Sequence, residues 1–384
     1  MNKKEQICVV NHFPIYPPHI GGQLRVYHIA KNLAEYFDVN VLTLAHPLKQ
    51  FHKDVLLDGL RIKNVPQLSA ALGAFLSKTF KLPIGESTTP VSSNFALKFK
   101  KILRNYILSS AIVVSEHPYL FPLIAPYADK RILVYSAHNV DFLLKKDVYT
   151  KRPIIKKLVM PRIEKAERLA CTKSRIILTT CEDDKRDLSH LYNIPMEKIY
   201  VAPNGVDASE ITTCSQNEKN DAKKKLGLKD RKIVSFIGSE HPANIEAAEY
   251  IICNIAPKLC DCEFLIIGDV AMRIKIRRTN FNNVRLMGFV DEDVKKTILR
   301  ATDIALNPMF HGSGTNLKML EYLAAGLPTV STPVGARGIE VENYKDIIIS
   351  RGEDFAEKIK ELFADHELRE NLARNGRRLV EERY

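Results

Sequence analysis

The residues best suited to chemistry lie between His311 and Gly338, in HGSGTNLKMLEYLAAGLPTVSTPVGARG. Gly312, Ser313 and Gly314 make a loop in which glycine lets the backbone come close to a ligand. Thr315, Asn316 and Leu317 then open an apolar helical pattern, so their N–H groups lack partners within the helix. A helix start of this kind is an anion site, most naturally one for phosphate. Lys318 falls in the first turn and Glu321 three residues later, which puts both on one face. A cation and a carboxylate beside a phosphate-binding helix end suit a nucleoside diphosphate. The ammonium meets phosphate charge, and the carboxylate accepts from ribose hydroxyls. A second glycine loop ends at Gly338 and carries Arg337, a further cation. An ordinary capped helix with an intrahelical ion pair would explain Lys318 and Glu321, but not both glycine loops.

The elements that must position this segment alternate strand and helix along the whole chain, the pattern of parallel sheets covered by helices. In the first half, strands are expected at Gln6–Phe13, Val39–Ala45, Gly59–Val65, Ala111–Ser115, Arg131–Ser136, Ile176–Thr179 and Lys198–Val201. Gly21-Gly22 opens a helix reaching about Tyr36. The polar run Ser209–Asp221 has the composition of a surface linker. A second set follows at Lys232–Ile237, Glu263–Ile267, Val284–Met287, Asp303–Leu306, Pro328–Ser331 and Asp346–Ile349. Three of these strands end in Gly238, Gly268 and Gly288, which turns backbone N–H groups toward the carboxyl edge where doubly wound sheets bind nucleotides. Phe289 and Val290, after Gly288, are placed to meet a base. The expected fold is α/β, two doubly wound Rossmann-like domains, residues 1–204 and 205–384.

A chain of 384 residues accommodates two such domains. No apolar run approaches the roughly 18 residues of a membrane span, and Ile7–Val10 is too short for a signal peptide and reads as a buried strand. Seven cysteines without a histidine at metal spacing point to reduced thiols, a cytoplasmic setting and no metal site. The acidic clusters Glu182-Asp183-Asp184 and Asp291-Glu292-Asp293 each precede a helical pattern and read as helix N-terminal acids.

The net charge of +12 is unevenly placed. Residues 1–200 hold 30 Lys+Arg against 17 Asp+Glu, while residues 201–384 hold 27 against 28. The first half is therefore the one to meet an anionic partner, nucleic acid or an anionic membrane surface. Two helical stretches there bear on this. Leu68–Leu82 is apolar with two lysines. Lys151–Cys171 sets Ile155, Val159, Ile163, Ala166 and Ala170 against Lys156, Lys157, Arg162, Lys165 and Arg168, with Pro161 expected to kink or restart it. A basic amphipathic helix lies on anionic lipid; a core-covering helix with a solvated basic face has the same pattern. No basic motif with interleaved aromatics supports nucleic acid.

Taken together, the residues resemble the GT-B glycosyltransferases of the large retaining group called family 4. Pro17-Pro18-His19-Ile20-Gly21-Gly22 with Arg25-Val26 is similar to that family's glycine-rich loop after the first strand, near acceptor and donor phosphates. Ser136-Ala137-His138-Asn139-Val140-Asp141 resembles its His-Asn segment, whose histidine faces the donor sugar. Ala202-Pro203-Asn204-Gly205-Val206-Asp207 is similar to the segment before its second domain, and Gly312–Gly326 to its donor-binding loop and helix.

The resemblance implies transfer of a sugar from a UDP- or GDP-sugar, and the basic first half points to a lipid-linked or polysaccharide acceptor on the cytoplasmic face of a membrane. The resemblance also implies retention without a clear covalent nucleophile, no cofactor and no required metal, closure of two domains over a cleft, and a last helix crossing back to the first domain. His138, Lys318 and Glu321 then become the candidate catalytic groups. Two departures stand out. Ser313 occupies the position where many members carry the first of two acidic residues. Ser239 and Asn244 stand where many carry an Arg and a Lys that clamp the diphosphate, which leaves Lys318 as the best-placed substitute. A nucleotide-sugar epimerase of the same fold and a non-catalytic sugar binder remain as alternatives.

Overall fold

The computed structural model describes residues 4–47, 54–67, 97–150, 152–274, 282–312 and 314–384. The apolar stretch Leu68–Leu82 and the side chain of Ser313 lie outside them. The chain divides into two compact units, Met1–Ala202 and Pro203–Tyr384.

Unit 1 runs β1 (Gln6–Asn11), α1 (Gly21–Leu33), β2 (Asp38–Ala45), β3 (Asp54–Leu57), β4 (Leu60–Pro66), α2 (Leu97–Ser109), β5 (Ile112–Glu116), α3 (Phe121–Ile124), β6 (Ile132–Ser136), α4 (Asp141–Val148), α5 (Pro153–Lys173), β7 (Ile176–Thr179), α6 (Glu182–Tyr192) and β8 (Ile199–Val201). Its sheet has the order β3-β4-β2-β1-β5-β6-β7-β8. Every pairing is parallel except β3 with β4. The inner strands are apolar throughout rather than alternating, because Cys8 and Val10 face one core while Ile7 and Val9 face another. Sequence reading misses β3. Its signal is the pair Asp58-Gly59, both at positive φ (51° and 75°), a tight hairpin turn between Leu57 and Leu60.

Unit 2 runs α7 (Gln216–Lys225), β9 (Lys232–Ile237), α8 (Pro242–Tyr250), β10 (Cys262–Ile267), β11 (Val284–Gly288), α9 (Glu292–Ala301), β12 (Ile304–Asn307), α10 (Leu317–Ala324), β13 (Thr329–Ser331), β14 (Ile348–Ile349), α11 (Phe355–Ala364) and α12 (His366–Arg383). The six strands are parallel in the order β11-β10-β9-β12-β13-β14.

Two local expectations change, and the seat of the last helix within unit 2 is defined. The polar run Ser209–Asp221 is more than a linker: Ser215 and Glu218 form a reciprocal cap that starts α7. Lys219 and Lys223 of that helix reach Asp303 at 3.4 and 2.7 Å, so the segment is built into the body of unit 2. Pro161 neither ends nor restarts its helix; α5 continues through it for 21 residues, with the ring on the exposed side. The last helix, α12, is seated on α10 of its own unit. A Cβ on Gly376 would lie 2.7 Å from Leu323 Cδ2, and Arg377 donates to the carbonyls of Ala208, Ile211 and Ala324. The acidic clusters do start helices. Glu182, Asp183 and Asp184 form the first turn of α6, and Asp291 caps α9 by accepting from Val294 N at 2.8 Å.

Each sheet reverses its winding at one strand. β1 lies between β2 and β5, and β9 lies between β10 and β12. Loops leaving the carboxyl ends of such strands diverge, which opens a crevice in each unit.

Candidate functional site

In unit 2 the crevice is bounded by the turn after β9, the turn after β12 and the N-terminus of α10. Gly314 has φ of 69°, where only glycine is unstrained, and it turns the chain from the β12 loop into that helix. Asn316 is the residue before the first helical turn. Its side-chain amide donates to the Gly335 carbonyl at 3.1 Å, and Asn307 Nδ2 donates to the same oxygen at 2.9 Å. Thr315 Oγ1 lies 3.5 Å from the Gly338 carbonyl. The two glycine loops read separately in the sequence are thus one tied structure, with half-buried Arg337 in the second.

Lys318 and Glu321 both sit on α10, but they do not pair with each other. Lys318 Nζ donates to Asn244 Oδ1 at 2.7 Å and lies 4.3 Å from the Phe236 ring centroid. Asn244 in turn donates to Ser239 O and Oγ at 3.3 and 3.1 Å. Glu321 accepts from Lys295 of α9 at 2.9 Å. The fold therefore carries the ammonium of Lys318 to Asn244, one of the two positions where the resemblance leads to a cation being expected, and Asn244 links it to the other, Ser239. Burial lowers the Lys318 ammonium to about 7, against a raising effect from Glu321. A nearby anion would restore its charge. Gly288 ends the edge strand β11, and the next side chain, Phe289, is 66% exposed. Val290 is half-buried beside it.

In unit 1 the site forms at the carboxyl ends of β1, β5 and β6. Gly21 and Gly22 are the first two residues of α1. A Cβ on Gly22 would stand 3.3 Å from Phe13 Cζ, a tight contact, and 3.8 Å from His138 Nδ1, an ordinary one, so the helix start lies directly beside both rings. Buried His138 places Nε2 2.7 Å from Glu116 Oε2. Burial, and then the neighbouring His117 ring at 4.1 Å, lower the imidazole to about 4, against the opposing pull of Glu116. Burial alone would raise the Glu116 carboxyl, but hydrogen bonds from His138 and Ser136 and the charge of Arg25 hold it below the usual range. His138 is then neutral at pH 7. Arg25 is buried, and its Nη2 donates to the Ala202 carbonyl at 2.7 Å.

Sequence reading passes over several members of this cluster. Tyr119 Oη donates to Asp141 Oδ1 at 2.6 Å, and His117 Nδ1 lies 3.7 Å from Asp141 Oδ2. Glu167 of α5 accepts from the N–H groups of Asp141 and Phe142, which open α4, and from the hydroxyls of Tyr135 and Tyr192. The available signal was Glu116-His117 closing an apolar strand, where charge has no packing purpose.

Comparison with known proteins identifies the family and the fold. Residues 20–210 match the family described as Glycosyltransferase Family 4, and residues 231–365 match Glycosyl transferases group 1. The chain belongs to these glycosyltransferases and has their two-domain GT-B fold. An uncharacterized glycosyltransferase of Methanocaldococcus jannaschii is 21% identical over 391 residues, covering 96% of this chain and 92% of that one. Among solved structures, Anabaena HepE in complex with UDP superposes with a TM-score of 0.71 at 13% identity, over 99% of this chain and 95% of that one. WaaG, a glycosyltransferase involved in lipopolysaccharide biosynthesis, superposes with a TM-score of 0.69 at 16% identity, over 98% and 95%.

Proposed function

We propose that this glycosyltransferase moves a hexosyl group, with retention at the anomeric carbon, from a UDP- or GDP-sugar to a lipid-linked or polysaccharide acceptor, at an anionic membrane surface on the cytoplasmic side. The observation that carries the donor assignment is the Lys318 ammonium, held by Asn244 and Phe236 at the start of α10. A helix end alone contributes roughly 0.3–2 kcal/mol to binding an anion, so a diphosphate leaving group calls for a cation as well. That HepE is a UDP complex supports a nucleoside diphosphate here.

In this reading the Gly312–Leu317 backbone holds the diphosphate, with Ser313 in that loop and Arg337 as a second cation. Gly288, Phe289 and Val290 take the base, and Glu321 accepts from the ribose. The bond between the anomeric carbon and the phosphate oxygen breaks, and the acceptor oxygen takes its place. The acceptor proton leaves with the diphosphate, whose developing charge Lys318 offsets. His138 meets a sugar hydroxyl, and Gly21-Gly22 leaves room for the acceptor.

A thermal-shift screen with UDP-, GDP- and ADP-sugars tests the donor class. Ligand at about 100 times its dissociation constant stabilises by roughly 2.7 kcal/mol, so one nucleotide series should raise the melting temperature clearly. No shift with any of them overturns the reading. Sugar isomerisation without acceptor would instead indicate an epimerase.

A further inference from the structure

Glu116 closes β5, and its carboxylate faces the ring of His138 across the register pair Glu116–Ser136 that joins β5 to β6. Both side chains are buried, at 3% and 8% exposure, and Nε2 and Oε2 are 2.7 Å apart. An ionised carboxylate only accepts, so the nitrogen it meets must carry the proton. The opposite nitrogen, Nδ1, faces the start of α1, 3.8 Å from the missing Cβ of Gly22.

We infer that Glu116 is a positioning residue that fixes His138 as the Nε2–H tautomer and so presents Nδ1 as a hydrogen-bond acceptor toward the Gly21-Gly22 helix start. The tautomer sets the class of partner: any hydrogen bond made at Nδ1 is one it accepts from an N–H or O–H donor, and an anionic oxygen is rejected there. Only the reading of such a donor as a sugar or acceptor hydroxyl rests on the proposed glycosyl transfer; the tautomer rests on the unit 1 geometry alone. His117 supports the arrangement from the other side. Its ring packs on His138, while Asp141 faces its Nδ1, so the two histidines have separate carboxylate partners.

The tautomer is read directly by long-range proton–nitrogen correlation spectra of the full chain carrying isotope-labelled histidine. His138 is assigned by the signal that disappears in His138→Gln. The expected result is a neutral His138 protonated on Nε2 in the wild type and in Glu116→Gln, whose amide oxygen still accepts, and a mixture of tautomers in Glu116→Ala. Protonation on Nδ1 in the wild type, or an unchanged tautomer in Glu116→Ala, overturns the inference. These spectra are recorded without substrate, so they stand or fall apart from the glycosyltransferase reading. Kinetically, Glu116→Ala should lower kcat/KM roughly tenfold, the scale of one misdirected hydrogen bond, and Glu116→Gln should restore most of the loss. In the His138→Gln background Glu116→Ala should cost nothing further. Additive losses would mean that Glu116 acts independently of His138 and would overturn its positioning role.

Discussion

At the scale of single residues, Lys318 shows how a side chain acquires a task from its surroundings. On the sequence it pairs naturally with Glu321, three residues on. In the structure Glu321 is taken by Lys295, and Lys318 turns to Asn244 and the ring of Phe236. Burial brings its ammonium down to about 7, so near neutral pH a share of the free protein is deprotonated there. A bound diphosphate favours the charged form and raises that value. Donor binding above pH 7 should therefore take up protons, and affinity should fall as pH rises from 7. Calorimetry in buffers of different ionisation enthalpy measures the uptake; it should vanish in Lys318→Ala, along with most of the turnover. The same shift has a stability sign. Between about 7 and the ordinary lysine value of 10.5 the unfolded chain binds the extra proton, so stability due to this group rises with pH across that window.

At the scale of elements, the first turn of α4 is held from outside. The two N–H groups that open it, of Asp141 and Phe142, each donate to a different oxygen of Glu167, at 2.7 and 3.1 Å. α4 follows directly on the loop that carries His138, so α5 positions the histidine through this carboxylate. Neither N–H can reverse its role. Glu167→Gln, nearly identical in shape, turns an amide donor toward one of them and leaves a buried donor unpaired. Such a defect costs about 1–3 kcal/mol. Thermal melts should show Glu167→Gln destabilised on that scale, and an unchanged melt would remove the carboxylate from this role. The positions of α4, α5 and β6 along the chain were legible as periodic apolar runs. The link between Glu167 and residues 141–142 was not, because it spans about 25 positions with no local pattern to mark it.

At the scale of the whole molecule, charge separates the two units. The excess of cations belongs to residues 1–200, and much of it lies on α2 and α5. These helices contribute to the same core, α2 through Phe99, Leu103 and Ile107 and α5 through Ala170 and Cys171, so they cover one face of the first sheet. Their outer sides expose Leu97 at 78% and Ile154 at 76% among Lys98, Lys101, Lys157, Arg162 and Lys165. Among the described residues no helix is long and apolar enough to cross a membrane. A face of this composition suits the surface of anionic lipid, with apolar tips entering and cations meeting headgroups. Sedimentation with phosphatidylglycerol vesicles should carry the protein down at low salt and release it near 1 M salt, where screening acts over about 3 Å. Binding that ignores both salt and anionic lipid would remove the membrane from the proposal.

The sequence by itself determined the alternation of strands and helices, because an apolar run closed by glycine is a local signal. For the same reason it determined the glycine loops around α10 and the family. Tertiary structure decided the partners. It tied Asn316 to Gly335, turned Lys318 to Asn244 rather than Glu321, gave His138 to Glu116, and folded Arg25 into the interior of unit 1. Each of these depends on which strands lie side by side at a reversal point. Strand order arises from packing across the whole sheet, and no window of sequence contains it.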